Sequence, residues 1–308
     1  MKLLVGYTGF VGSNIYAAGD FDGVYNSQNI QDAFGKNPDL LVYAGLRAEK
    51  FLANSNPEKD MEQILTAEEN IKKINPKQLV LISTVDVFKS PNSATEETPI
   101  CTEGLHAYGY NRYQLECWVR EHYPTALIIR LPGLFGKNIK KNFIYDFINL
   151  IPSMLTQSKF AELSKKEPSL HHYYTLQSNG FYKLSAIDEQ TKEFLKKVFS
   201  NLGFSALNFT DSRNVYQFYP LSRLWQDIQT ALQNHITLWH PATEPVSTWE
   251  LYHYLTGKSF VNEVSQNPVY YNFKTIHAHV FGGTKDYICD KAAILYAIKE
   301  FVRNAHPH

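Results

Sequence analysis

Across 308 residues the sequence has only three cysteines, Cys101, Cys117 and Cys289, widely spaced and without a C-x-x-C pair. An odd, sparse set of this kind writes neither a disulfide framework nor a zinc knuckle, and it fits a reducing cytoplasm. Net charge is absent too: thirty basic and thirty acidic side chains cancel. That removes the electrostatic footprint expected of a nucleic-acid or anionic-membrane binder and leaves a small molecule as the expected partner. No run of eighteen apolar residues occurs, so no membrane-spanning helix is expected. The N-terminal stretch has the lysine and apolar residues of a secretory leader, but Gly6, Gly9 and Gly12 interrupt it. Internal repeats and low-complexity linkers are also missing.

What is present belongs to a globular chain. Hydrophobic residues make up 44% and charged residues 19%, far from the composition of disorder, and the length suits one large α/β unit with an appended lobe, or two domains. Short apolar runs at 2–5, 23–25, 40–43, 79–83 and 126–130 alternate with helical patterns at 10–18, roughly 57–74, and 107–123. This is the mark of βαβ units. Runs such as LVLIS are continuously apolar instead of alternating, as strands covered on both faces are. The expected fold class is α/β, a Rossmann-type doubly wound parallel sheet with a smaller, mostly C-terminal lobe. Residues 151–178 lose the pattern, and 188–202 reads as an amphipathic helix. Strands at 215–219 and 236–240 around a helix at 222–232 suggest that the sheet resumes. Helices at 249–255, started by Ser247-Thr248, and at 290–302 complete the chain. The expected division is a cofactor-binding domain at 1–150 and 207–243, and a substrate lobe at 151–206 and 244–308.

The first chemical motif is Gly6-Tyr7-Thr8-Gly9-Phe10-Val11-Gly12, directly after a strand and before a helix. Glycines there permit unusual dihedrals, close backbone approach to a pyrophosphate and tight helix packing, while the helix N-terminus offers free N–H groups. After the second strand, where an acid would normally hold the adenosine ribose, stand Asn26 and Ser27. This neutral pair can bind a ribose without repelling a 2′-phosphate, so NAD and NADP both remain open. Arg47 and Lys50 follow the third strand and are either adenine-end contacts or solvated loop charges.

The second motif lies in the helix at 107–123. Tyr108 and Arg112 are four residues apart on the stripe continued by Leu115 and Val119, which turns toward the sheet. A cation beside a phenol favours phenolate and is expected to lower the tyrosine pKa toward neutrality. Ser83 and Thr84 end the fourth strand, at the sheet edge where open α/β folds place ligands, and Asp86 follows as either a loop cap or a substrate contact. His277 and His279 lack a visible third ligand, and His171, His172, His306 and His308 form no metal-binding spacing, so no metal site is expected. The aromatic clusters His172-Tyr173-Tyr174 and Tyr270-Tyr271 are expected mainly in the core.

At these residues the chain resembles the extended short-chain dehydrogenase/reductase superfamily, with STVDVF at 83–88 similar to the segment of its dTDP-4-dehydrorhamnose reductase branch. The resemblance covers nearly the whole chain in order and is strongest over 1–143. It includes the glycine spacing, ETPICTEGLHAYG ahead of the tyrosine, and RLPGLFG at 130–136, which in the family lies near the nicotinamide. It implies an NAD(P)-dependent oxidoreductase or epimerase acting on a nucleotide-linked sugar. Thr84, Tyr108 and Arg112 would be catalytic; Gly6, Thr8, Gly9, Phe10, Val11, Gly12, Asn26, Ser27, Tyr108, Arg112 and Pro132 would hold the cofactor; Asp86 and Asn142 would meet substrate. Reduction or epimerisation is favoured over dehydration, because no Asp-Glu pair follows Thr84. A homodimer using the tyrosine helix and Trp118 is also implied. Arg112 departs from the family's Y-x-x-x-K motif: arginine keeps the charge but changes the geometry. The alternative is therefore a cofactor-binding protein of the same fold with weak or no catalysis. A methyltransferase-like α/β enzyme would leave the Tyr108 and Arg112 pair unexplained.

Overall fold

The computed structural model describes residues 1–305. In chain order the first elements are β1 (Lys2–Val5), α1 (Phe10–Ala18), β2 (Gly23–Tyr25), β3 (Leu40–Tyr43), α2 (Lys50–Ser55), α3 (Pro57–Ile74), β4 (Gln78–Thr84), α4 (Ala107–His122), β5 (Leu127–Leu131) and β6 (Gly133–Phe135). There follow α5 (Phe143–Asn149), β7 (Met154–Thr156), α6 (Gln157–Lys166), β8 (Tyr174–Leu176), β9 (Phe181–Leu184) and α7 (Glu189–Asn201). The remainder is β10 (Val215–Tyr216), β11 (Phe218–Pro220), α8 (Leu224–Gln233), β12 (Leu238–Trp239), β13 (Val246–Ser247), α9 (Thr248–Thr256) and α10 (Lys291–Ala305). The chain forms two compact units. The first comprises Met1–Ile139, Val215–Val246 and Tyr270–Ile298; the second comprises Lys140–Asn214, Ser247–Val269 and the chain from Lys299.

The first unit is a doubly wound α/β domain around a six-stranded sheet in the order β12-β5-β4-β3-β1-β2, with every pair parallel. Its strands are apolar throughout because both faces are covered. Leu3, Val5, Leu41, Leu79, Leu81 and Ile128 pack with Ile64, Ala67 and Ile71 of α3 and Leu115 and Val119 of α4. Their alternate neighbours Leu4, Val42, Val80, Leu127 and Ile129 pack with Ile15 of α1 and with Leu224, Trp225 and Ile228 of α8. The expected resumption of the sheet is only half realised. Leu238 and Trp239 extend it beside β5, but 215–219 is not one of its strands. That stretch breaks at Gln217, and β11 pairs with β6 in a separate ribbon. The break has a physical cause: Gln217 is buried, donating to the carbonyls of Thr243 and Phe273 and accepting from the Phe273 N–H.

The second unit holds elements where the sequence shows no pattern. β7, β9 and β8 form an antiparallel sheet, and α6 starts at a Thr156 cap. Leu155, Phe160, Leu163, Leu170, Tyr174, Leu195 and Phe199 make its core. Three- and four-residue strands, interspersed with lysines and glutamines, give too short a run for periodicity to detect.

Candidate active site

The glycine turn after β1 has the shape its residues predict. Gly6 sits at φ +91°, and a Cβ on it would lie 2.3 Å from the Ala44 carbonyl oxygen; one on Gly12 would lie 2.1 Å from the Gly6 oxygen. Only glycine fits either place. Gly9 starts α1 with no side-chain cap. The first-turn N–H groups of Phe10, Val11 and Gly12 therefore point out of the helix beside exposed Thr8 and Gly9, at its positive end. The buried Asn14 fixes this helix by donating to the carbonyls of Phe10 and Lys137. Such a turn fits the pyrophosphate of a dinucleotide. After β2, the Asn26 carboxamide accepts from the Gln28 N–H at 2.9 Å and Ser27 is exposed, so the loop is a turn built from amides and a hydroxyl.

Thr84 closes β4 and caps the short turn after it, accepting from the Asp86 N–H at 3.2 Å. The first turn of α4 abuts this loop: a Cβ on Gly109 would come within 2.1 Å of the Asp86 carbonyl oxygen. Among the described residues the Asp86 side chain caps no backbone N–H; its Oδ1 accepts from Tyr271 Oη at 3.0 Å and pairs with Lys50 Nζ at 3.1 Å. Lys50 thus holds this carboxylate, and Tyr271, of the Tyr270-Tyr271 pair, packs against the core cluster of Val85, Val87 and Phe273 while its hydroxyl reaches Asp86.

Tyr108 is buried on α4, with its N–H donated to Asn54 Oδ1 at 2.9 Å. Arg112, 3% exposed, is engaged on all sides by the protein itself. Its NH1 pairs with Asp60 of α3 and reaches the Tyr108 carbonyl, and its NH2 donates to the Arg47 carbonyl at 2.7 Å. Asn111 also donates to Asp60, at 2.9 Å. The guanidinium lies over the Tyr108 ring, 4.0 Å from ring centroid to Cζ. The expected lowering of the tyrosine pKa is overturned: burial raises it, and the opposing pull of Arg112 and of the Thr84 side chain does not compensate. Asp60 escaped the sequence reading. Its signal was an acid at the head of the apolar stripe Ile64, Ala67, Ile71, Ile74, all buried with it.

A second buried network on α4 was equally unforeseen. Glu116, wholly buried, accepts from Ser83 Oγ at 2.6 Å, from Arg130 Nε and NH2, and from Arg120 at 3.0 Å. Arg130 NH1 in turn donates to His240 Nε2 at 3.3 Å, while His240 Nδ1 donates to the Lys274 carbonyl. Burial, then the Arg130 charge, push the His240 pKa down to about 3. Pro132 follows β5, half-buried. Asn142 lies in the second unit, where its side chain caps α5 by accepting from the N–H groups of Ile144 and Tyr145. Trp118 stacks on His122 at 4.5 Å. Tyr174 is buried and donates to the Pro152 carbonyl. His306 and His308 lie outside the described residues. Among the described residues no group of three or more metal-capable side chains occurs, and no helix is long and apolar enough to cross a membrane.

No family model matches the sequence, and no curated protein sequence does. Solved structures do match. A dTDP-4-dehydrorhamnose reductase from Bacillus anthracis in complex with NADP is 14% identical, with 98% of this chain and 97% of that chain covered and a TM-score of 0.62. This chain shares its fold. The enzyme WbmG of Bordetella bronchiseptica, in complex with NAD and UDP, is 12% identical over 99% of this chain and 94% of that one, with a TM-score of 0.62. A UDP-N-acetylglucosamine 4-epimerase from Methanobrevibacter ruminantium, in complex with UDP-N-acetylmuramic acid, gives 12% identity, coverage of 98% and 96%, and a TM-score of 0.60. The likeness runs over essentially the whole chain, so the fold is common to all of it.

Proposed function

We propose that this protein is an NAD(P)-dependent oxidoreductase or epimerase of the extended short-chain dehydrogenase/reductase type, acting on a nucleotide-linked sugar. The observation that carries the reading is the joint presence, in one compact unit, of the glycine turn with its uncapped helix and of Tyr108 packed behind the strand that ends in Thr84. The structural neighbours bound to NADP, NAD, UDP and a UDP-sugar support it. In this reading Gly6, Thr8, Gly9, Phe10, Val11 and Gly12 hold the pyrophosphate, Asn26 and Ser27 the adenosine ribose, and Pro132 lines the nicotinamide end. The cofactor supplies or accepts the hydride.

The chain's own part is the proton. Thr84 donates a hydrogen bond to the substrate oxygen, and the Tyr108 hydroxyl gives that oxygen its proton as a carbonyl is reduced. A buried phenol with a raised pKa is protonated at neutral pH, the form that donation requires. As a weaker acid than a free phenol, it gives up its proton only to the oxygen that gains charge as the carbonyl is reduced. Arg112 supports the phenol through its ring and its charge. The division into a cofactor domain at 1–150 and 207–243 and a substrate lobe elsewhere, Asn142 as a substrate contact, the homodimer and a cytoplasmic location are parts of the same proposal.

One observation favours a second reading, a cofactor-binding protein with little turnover: Arg112 is committed to Asp60 and to two backbone carbonyls. Following NAD(P)H consumption with a panel of nucleotide-linked keto sugars separates the two. The first reading expects turnover that falls at least about 100-fold in Tyr108→Phe. Cofactor binding without turnover of any of them would favour the second.

A further inference from the structure

Five α-helices of this chain are capped by the residue types that ordinarily do so. Asn56 caps α3, Asn142 α5, Thr156 α6, Asp188 α7 and Ser247 α9. The helix carrying Tyr108 differs from these five, because α4 is capped by His106, whose Nδ1 accepts from the Gly109 N–H at 3.0 Å. We propose that His106 is a positioning residue for Tyr108: its neutral imidazole, protonated on Nε2 alone, holds the first turn of α4, and protonation of the ring releases that turn. The proposal rests on the reading of Tyr108 as the proton-transferring group.

The chemistry follows from the bond. An imidazole nitrogen that accepts a hydrogen bond carries no proton, so the neutral ring keeps its proton on Nε2. Adding a second proton puts an N–H on Nδ1, facing the Gly109 N–H, and leaves two donors opposed. It also places a positive charge at the positive end of a helix. Tyr108 lies between the cap and Gly109, so the turn that would be lost is the one that sets the height of its ring over Arg112. The charged groups around the imidazole come from two other elements. Burial first, then Lys50 of α2, disfavour the cation, and Asp86, in the turn after β4, favours it; the net effect holds the ring below its ordinary pKa, so the cap stays in place at neutral pH. Serine or asparagine would cap the helix equally well but would not titrate, which is the difference histidine makes here.

The test uses the full-length protein with ¹⁵N-labelled histidine. Long-range ¹H–¹⁵N spectra of wild type, with the His106 signal assigned by its loss in His106→Asn, are expected to show the Nε2–H tautomer at pH 7.5. A ring protonated on Nδ1 there would overturn the proposal. Thermal unfolding gives a second reading. On going from pH 7.5 to 5.5, wild type is expected to lose about 2 °C more than His106→Asn, which keeps a cap that does not titrate. His106→Ala, without a cap, is expected to melt about 2 °C below His106→Asn at pH 7.5. Equal pH dependence in wild type and His106→Asn would overturn the proposal. If the protein turns over a substrate, the acid limb of kcat/KM shifts to lower pH in His106→Asn with the rate at pH 7.5 retained; an unmoved limb counts against it. The spectra and the melting curves need neither cofactor nor substrate, so absence of turnover would sink the proposed function and leave these results standing.

Discussion

Helix α4 is held by two buried arginine–carboxylate pairs that do different things. Glu116, on the helix, is met by Arg130 from the strand beneath it, and the pair continues to Ser83 and His240 within the sheet layer. Arg112, also on the helix, is met by Asp60 of the neighbouring α3, and its guanidinium stands over the Tyr108 ring. One pair ties the helix to the sheet and touches no proposed reacting group. The other ties helix to helix and forms one wall of the tyrosine's surroundings. The difference shows that a cation at the motif position is not by itself a cation available to the phenol oxygen. Its carboxylate partner and its stacking direct it to the ring face, and burial then dominates the pKa.

The strongest way to break this comparison is at Glu116. A Glu116→Gln variant leaves Arg130 buried with its counter-charge gone, and denaturant unfolding is expected to show a loss of about 4 kcal/mol. Asp60→Asn should cost less, about 2 kcal/mol, because the carboxamide oxygen still accepts one of the bonds and Arg112 keeps two backbone carbonyls. A larger loss at Asp60 than at Glu116 would reverse the ranking of the two clamps. A milder test uses the histidine of the sheet clamp. His240 is neutral when folded, with a pKa of about 3, and charges near 6.5 when unfolded. The unfolded chain therefore binds more protons between those values. The contribution of His240 is complete above about pH 6.5 and is lost as the pH falls toward 3. From pH 7.5 to 5.5 the loss is about 1 kcal/mol, absent in His240→Gln.

How much of this was legible from residues alone follows the distance between partners. The glycine turn is a local object, in which Gly6 and Gly12 constrain each other across six residues, and its sequence context announces it. The stripe of Tyr108, Arg112, Leu115 and Val119 is likewise local, and all four are buried. Arg112's destination was not legible, because Asp60 lies 52 residues away and reads as one more acid in the first turn of a charged helix. His240, 110 residues from Arg130, is further still. The short strands of the second unit were hidden for another reason: β7, β8 and β9 are too brief and too polar to carry a period.

The central claim is that the glycine turn binds a nicotinamide dinucleotide, whatever Arg112 does for turnover. Titrating the purified protein with NADH and with NADPH, followed by calorimetry or cofactor fluorescence, tests it most directly. Saturable binding of at least one, with a Kd of about 100 µM or tighter, is the expected result. No saturation by either up to about 5 mM would contradict it.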